Sequence, residues 1–323
     1  MAQMKLVNGK YTGSFDCDNR IVVLGGEGAK CIPQLNTAGL TLCVPKGVVV
    51  EQPLKITYTT TELSKDVRDI AVAIILESGA RLAVSEEFNC EGINGEVGEK
   101  SDDSYSYCNN LSLTYYLEEG AFLKVKRTQQ EDLSAWHYSH SLVYQHASSF
   151  FQLVSINTGG SKMRDETVNI LDGDGAESKI YGLNVADTSI VGANMIKASQ
   201  RFENVLFIDH KKSHCSSVQN IKGIYDGYSS GSFNATISIR ENTKGNLASQ
   251  SNKNLMLSNT AKVDMSPQLQ ILSEDVKCQH GVAVGELNEE EIFYMRARGI
   301  PLDEAKKMQV EAFKEEILTR FGE

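Results

Sequence analysis

From about residue 20 to residue 284 the apolar positions of this chain fall into short, β-branched runs, and helical periodicity is not sustained. The runs are Val48–Val50, Ile70–Leu76, Leu111–Leu117, Leu142–Ile156, Val205–Ile208, Ile237–Arg240 and Leu269–Leu272. Many are separated by the same punctuation, a short turn with a small residue ahead of the next strand. Leu76-Glu77-Ser78-Gly79-Ala80, Leu117-Glu118-Glu119-Gly120-Ala121 and Leu171-Asp172-Gly173-Asp174-Gly175-Ala176 show it clearly, and Tyr144–Ser148 and Leu257–Val263 are looser copies. Short strands with small-residue corners and an irregular repeat suit a parallel β-helix, whose coils stack side chains in the interior. A β-sandwich would supply the same strand content, but with hairpin turns at more regular intervals. The hairpin dipeptide Asn-Gly occurs only at Asn8-Gly9 and Asn94-Gly95.

Two polar stretches, Glu91–Asp103 and Gly223–Ser232, read as surface loops. Beyond residue 285 the pattern changes. Asn288 and Glu291 stand as N-cap and N3 of a helix running to Arg298, stopped by Gly299 and Pro301. A second helix, from about Asp303 to Phe321, carries Val310, Phe313, Ile317 and Phe321 on one stripe. The expected organisation is thus a strand domain over 1–284 and a helical subdomain over 285–323. The stripe predicts either a cap for the open end of the solenoid or a docking face for a partner.

Composition narrows the function classes. The 323 residues carry a net charge of −10 with the Lys and Arg scattered, so nucleic acid and anionic membranes are not expected partners. No apolar run is long enough to span a bilayer, and the first residues lack a signal-peptide pattern, which predicts a cytoplasmic protein. Seven cysteines (17, 31, 43, 90, 108, 215 and 278) form no Cys-x-x-Cys pair. Most are expected to be small buried hydrophobes rather than a disulfide framework.

The candidate chemistry is concentrated in Glu274-Asp275-Val276-Lys277-Cys278-Gln279-His280-Gly281. Cys278 and His280 lie two apart in a strand-like segment, so both side chains leave one face and can reach one soft or borderline metal. Other constellations are weaker. His214 and Cys215 are adjacent and point to opposite faces, and His210 with His214 lacks a third ligand. Trp136, Tyr138 and His140 are expected on one strand face and His137 on the other. Asp172-Gly173-Asp174-Gly175 lacks the remaining ligands of a calcium loop and reads as a turn. Gly25-Gly26-Glu27-Gly28 lacks the Lys-Ser/Thr of a P-loop, so no ATP site is expected in this chain.

Several stretches resemble the SufB/SufD family, the scaffold subunits of the Suf iron–sulfur cluster assembly system. They are Val44–Leu54, Gly159–Arg164, Gly182-Leu183, His210 through Gln219, Gly231–Ile237, Gln250–Ser258 and the Cys278-x-His280-Gly281 run. The resemblance implies an all-β, right-handed parallel β-helix with a C-terminal α-helical subdomain. It also implies a scaffold without turnover of its own, paired through its β-helix with a second scaffold and holding a SufC ATPase on its helices. A transient iron–sulfur cluster would be built between the two scaffolds, with sulfur reaching it from a cysteine desulfurase system. Within the family the chain looks most like SufD. His280 falls where the SufD-type interface histidine lies, Gly281 stands where SufB-type members carry a glutamate, and Ala261 falls where they carry the scaffold cysteine. The chain begins almost directly with strand-like sequence, a trait of short members that pair with themselves, so the expected mate is a SufB-like subunit or a second copy. The implied metal ligands are His280 and Cys278, and the expected ATPase-docking residues are Phe293, Tyr294, Arg298, Val310, Phe313 and Ile317. Two rival functions are a carbohydrate-active β-helix enzyme and a purely structural subunit that recruits the ATPase without holding metal.

Overall fold

A computed structural model describes residues 3–8, 10–11, 21–24, 39–63, 65–91, 105–186 and 199–322. In chain order the strands of the first half are β1 (Gln3–Val7), β2 (Lys10–Tyr11), β3 (Val22–Leu24), β4 (Leu40–Val44), β5 (Leu54–Thr60), β6 (Val67–Leu76), β7 (Arg81–Cys90), β8 (Tyr107–Leu117), β9 (Phe122–Gln130) and β10 (Ala135–Gln145). Those of the second half are β11 (Phe150–Asn157), β12 (Lys162–Leu171), β13 (Glu177–Ala186), β14 (Arg201–His210), β15 (Ser216–Tyr225), β16 (Ser230–Ile239), β17 (Asn246–Met256), β18 (Lys262–Ile271) and β19 (Val276–Gly285). From β4 onward successive strands alternate between two sheets, and within each sheet every strand is parallel to the one two places on. This is the two-sheet parallel β-helix that the strand pattern and the family resemblance predict.

Each coil turns from the even-numbered sheet to the odd-numbered one through a corner with a left-handed residue. These residues are Gly47, Gly79, Gly120, Ser148, Gly175, His214 and Gly245, with φ between 54° and 71°. They stack. Each donates its backbone N–H to a carbonyl of the next corner, as in Gly79 to Glu119 at 2.9 Å, Gly120 to Ala147 at 2.9 Å and Ser148 to Asp174 at 2.9 Å. Glycine suits this conformation because it has no Cβ to clash. The residue that follows is small and buried, as at Ala80, Ala121 and Ala176.

The run Leu142–Ile156 is two strands rather than one. The corner His146-Ala147-Ser148-Ser149 parts β10 from β11, and it escapes notice because serine replaces glycine. Leu257–Val263 belongs to the opposite set of corners, where Ser258 and Thr260 hydroxyls donate to the carbonyl of Gly227. Val48–Val50 forms a corner with one bridge, Val49 to Arg81. The Gly223–Ser232 loop shrinks to the turn between Tyr225 and Ser230. Within Glu91–Asp103 only Glu91 is described; Gly9, Gly25–Gly28, Asn94-Gly95, Cys17 and Cys31 also lie outside the described residues.

Inward positions repeat at period two and line up from coil to coil. One column runs Leu54, Val84, Val125, Leu153, Ile180, Gln219, Gln250 and His280. The interior is apolar near the corners and polar further along. Arg127, 1% exposed, is bonded to Glu86 (Nε–Oε2 2.9 Å), Tyr115 (2.9 Å) and Ser141 (3.2 Å), with Asp165 at 3.4 Å. Burial by itself would lower its pKa, but Tyr115, Glu86 and Asp165 reverse the balance and hold the guanidinium charged. Asn157, Asn184 and Asn204 form an amide ladder with bonds of 2.9 and 2.5 Å.

The two ends of the solenoid differ. At the N-terminal end antiparallel β2 covers β1 and antiparallel β3 covers β4. At the other end β18 and β19 are the outermost strands of their sheets.

The corner column yields the first prediction. Gly120→Ala should lower stability by about 1 kcal/mol, and Ser148→Gly should raise it by a similar or smaller amount. An added Cβ at Gly120 would come no closer than 3.9 Å to Gly79, so the cost is conformational rather than steric. Chemical denaturation midpoints of the two variants check this.

Candidate functional site at the open end

The interior parity of β19 is set by Val276 and Cys278, which pack against the core. At period two His280 shares that side, followed by Val282 and Val284. Parallel pairing sets Cys278 beside Ala248 and His280 beside Gln250. Outward on the same strand, Gln279 donates to Ser249 Oγ at 3.2 Å. Cys278 and His280 therefore occupy one face of the terminal strand, as the spacing predicts, at the mouth of the solenoid. Partial burial pushes the Cys278 thiol up from its ordinary value. Binding as thiolate would then require a metal, or a positive charge from another chain, to offset that desolvation.

The rim around these two residues is apolar and uncovered. Val282 and Val284, toward the far end of β19, are 45% and 50% exposed, and Ile271 and Leu272 lie open at the corner that leads from β18 into β19. Among the described residues no group of three His, Cys, Asp or Glu side chains is placed to hold a metal ion. The mouth thus offers two donor atoms of suitable chemistry and no third. Ala261, in the corner before β18, contributes a methyl group.

The other histidine constellations resolve into structural roles. His210 is buried, with Nε2 2.8 Å from Ser217 Oγ. His214 is a left-handed corner residue, and the Cys215 thiol donates to the carbonyl of Gly173 at 3.3 Å. His137 is buried with Nδ1 2.5 Å from Glu131, while Trp136, Tyr138 and His140 face outward. Asp172 binds Tyr144 and Asp174 caps Ser213 N–H, which makes that segment a turn.

The C-terminal helices are α1 (Glu289–Ala297) and α2 (Leu302–Leu318), followed by a 3₁₀ turn at Thr319–Gly322. Asn288 caps α1 by accepting from the N–H groups of Glu290 and Glu291, and Gly299, at φ 88°, ends it. The apolar stripe of α2 faces the molecule's own flank. Val310 and Ile317 are buried against Val154, Tyr181, Leu183 and Ile224 on the outer face of the odd-numbered sheet. Lys222, buried beneath the helix, donates to the carbonyl of Phe313 at 2.9 Å and pairs with Glu316 at 2.5 Å. The Phe313 ring lies over Lys222 Nζ. The stripe therefore covers a sheet face and not the open end of the solenoid, and Val310 and Ile317 have no surface left to present to a partner. Phe293 and Tyr294 of α1 are 74% and 56% exposed, and Arg298 stacks on the Tyr294 ring at 3.7 Å. Tyr294, Met295, Met308, Gln309 and Ala312 line a groove of about 580 Å³ between the helices.

Comparison with known proteins places this geometry. The profile of the SUF system FeS cluster assembly SufBD core domain matches residues 61–313. The chain belongs to the SufBD family. It is 28% identical to the chloroplastic protein ABCI7 of Arabidopsis thaliana, over 97% of this chain and 62% of that one. A SufBD family protein of Synechocystis is 24% identical over 90% of this chain and 63% of its own length. The iron–sulfur cluster assembly protein SufD of Escherichia coli is 31% identical over 56% of this chain and 40% of its own. The chain thus spans less than two thirds of the length of these relatives.

Several features of the SufBD interior lay beyond sequence reasoning, above all the Glu86–Arg127–Asp165 cluster. Its only signal is phase, since Glu86 and Arg127 alternate in step with Val84 and Val125.

Burial lowers the pKa of His210 to about 4, with Asn246 and Asp209 opposing. The unfolded chain therefore binds a proton that the folded chain refuses between about pH 6.5 and 4. Stability should fall as pH drops through that window, by on the order of 3 kcal/mol at its lower end. His210→Gln should flatten this part of the curve of denaturation midpoint against pH.

Proposed function

We propose that this chain is a SufD-like scaffold on which iron–sulfur clusters are assembled as cargo at an interface between two scaffold chains. The observation that carries the reading is the placement of Cys278 and His280 on one face of the outermost strand of a sheet in a SufBD core, paired on one side only. Iron–sulfur clusters take thiolate and, in mixed sites, imidazole ligands, usually four in all. Two donors on this chain leave the set incomplete, so a mate must supply the others, and a cluster forms only in the assembled pair. The exposed edges of β18 and β19 are templates for continuing both sheets into a second chain. The apolar rim of Val282, Val284, Ile271 and Leu272 would be buried by that contact. The mate is a SufB-like subunit or a second copy of this chain, and the setting is cytoplasmic.

In this reading a SufC-type ATPase docks on α1 and the adjoining groove, with Phe293, Tyr294 and Arg298 as the anchor and Phe313 supporting from behind. Exposed aromatics beside an arginine are the residue types that dominate protein interfaces. The chain itself turns nothing over, sulfur arrives indirectly from a desulfurase, and ATP hydrolysis belongs to the partner. A polysaccharide-cleaving groove finds less support, because corner acids are engaged as caps. Glu77 accepts from Lys46 N–H, Glu118 from Ser78 and Asp174 from Ser213.

His280→Ala should abolish the visible absorption of a cluster reconstituted anaerobically from iron and sulfide with the mate, while size-exclusion chromatography shows the pair intact. Undiminished cluster absorption in that variant would refute the ligand role. Phe293→Ala combined with Tyr294→Ala should weaken SufC capture by at least about tenfold, in line with the loss of two interface aromatics. It should leave the thermal midpoint of the isolated chain nearly unchanged, because both rings are largely exposed.

A further inference from the structure

One outward column of the odd-numbered sheet changes its chemistry half way along the solenoid. In register from β15 to β5 it reads Asn220, Tyr181, Val154, Lys126, Ser85 and Lys55. The first three lie under α2, where Tyr181 and Val154 pack against Val310 and Ile317 and Asn220 donates to Glu316. The turn after α2 reaches β11, where Gln152 donates to the carbonyl of Arg320, and beyond it no described helix crosses the sheet. There the outward positions of β9, β7 and β5 carry Lys124, Lys126, Arg81 and Lys55 against one carboxylate, Glu87, which Lys55 holds at 2.7 Å. Arg81, Lys124 and Lys126 pair with no carboxylate among the described residues. Arg81 and Lys124 lie instead over the ring of Phe122, 5.3 and 5.7 Å from its centroid, and that ring stacks on Phe150 at 4.5 Å. In a chain of net charge −10 this is a cationic lane with an apolar ridge along its corner side.

We propose that this lane docks an acidic amphipathic helix of a partner protein, laid across the strands end to end with α2. The molecule supplies its own pattern for the contact. α2 crosses the same sheet over the same column and sets Glu316 on a sheet lysine, Lys222, at 2.5 Å. Adjacent strands lie about 4.8 Å apart and successive helical turns about 5.4 Å, so a crossing helix presents roughly one residue of a stripe to each coil. From β9 to β5 the lane is about 10 Å long, or two such turns. Carboxylates three and four residues apart would meet Lys124 and Lys126 first, then Arg81 and Lys55, while apolar neighbours pack on Phe122 and Phe150. A broad anionic surface fits less well. Glu77, Glu118 and Glu119 stand at the corner that flanks the lane, so a bilayer or a nucleic acid would meet carboxylates beside the lysines. The rings face each other and the cations, which leaves no open ring face for a base. The proposal is independent of any metal role for Cys278 and His280.

The test uses the full-length chain and a fluorescein-labelled synthetic helix of about 15 residues, with Glu at spacings of three and four on one stripe and Leu on the next. Fluorescence anisotropy should show saturable binding that weakens as salt is raised. Lys124→Glu combined with Lys126→Glu should weaken it by about tenfold or more. Lys124→Gln with Lys126→Gln, which adds no charge to the sheet, should act in the same direction and decides the matter if the reversed pair fails to fold. Lys277→Glu, on β19 and outside the lane, should leave the affinity nearly unchanged. A peptide with Gln in place of every Glu should not bind. Circular dichroism and thermal midpoints confirm the fold of each variant. Absence of binding by the parent chain, or equal binding by the folded lane variants, overturns the proposal. So does a preference for phosphatidylserine vesicles or a single-stranded oligonucleotide over the peptide.

Discussion

Everything in this molecule depends on main-chain hydrogen bonding between one coil and the next. From β6 to β17 each strand satisfies its backbone by pairing two places earlier and two places later, and each corner repeats the arrangement with a stacked left-handed residue. A side chain is therefore never placed alone. It stands on the same position of the preceding coil, and interior columns become the unit in which packing is decided. The aliphatic column through Val84, Val125 and Leu153 and the ring pair Tyr58–Phe88, stacked at 4.2 Å, follow from that repetition.

The same constraint explains how charge is tolerated inside. Moving Arg127 and Glu86 out of water is costly unless geometry and further hydrogen bonds compensate. Adjacent coils bring Glu86 and Arg127 into contact, and Tyr115, Ser141 and Asp165 reach them from the facing sheet. Glu131 is handled similarly. Burial alone would raise its pKa, but His137, Gln129 and Asn109 together bring it below the ordinary carboxylate value. Polar residues are held in place by columns that leave them few alternative partners.

How much of this could be read in the sequence differs from element to element. Corners built on glycine announce themselves, since Gly79, Gly120 and Gly175 are the residues a left-handed turn favours. Ser148 and His214 fill the same role without the signature, and β10 and β11 merge in the pattern as a result. The pairing of Cys278 with His280 on one face was legible because period two is a property of any strand. That His280 lies in register with Gln250 was not, because register between coils depends on the intervening corner lengths. The α2 stripe showed that something must cover Val310 and Ile317. An amphipathic face does not say what, and here it is the protein's own sheet.

That attachment has a mechanical corollary. Lys222 and Asn220 tie α2 to β15, and Gln152 ties the end of the following turn to β11 through the carbonyl of Arg320. The second helix is a bracket riveted to the wall of the solenoid rather than an arm on a swivel. A pull applied at α1 would be delivered as shear to the outer face of one sheet, two strand positions short of the rim, and the opposite sheet would feel it only through the corners.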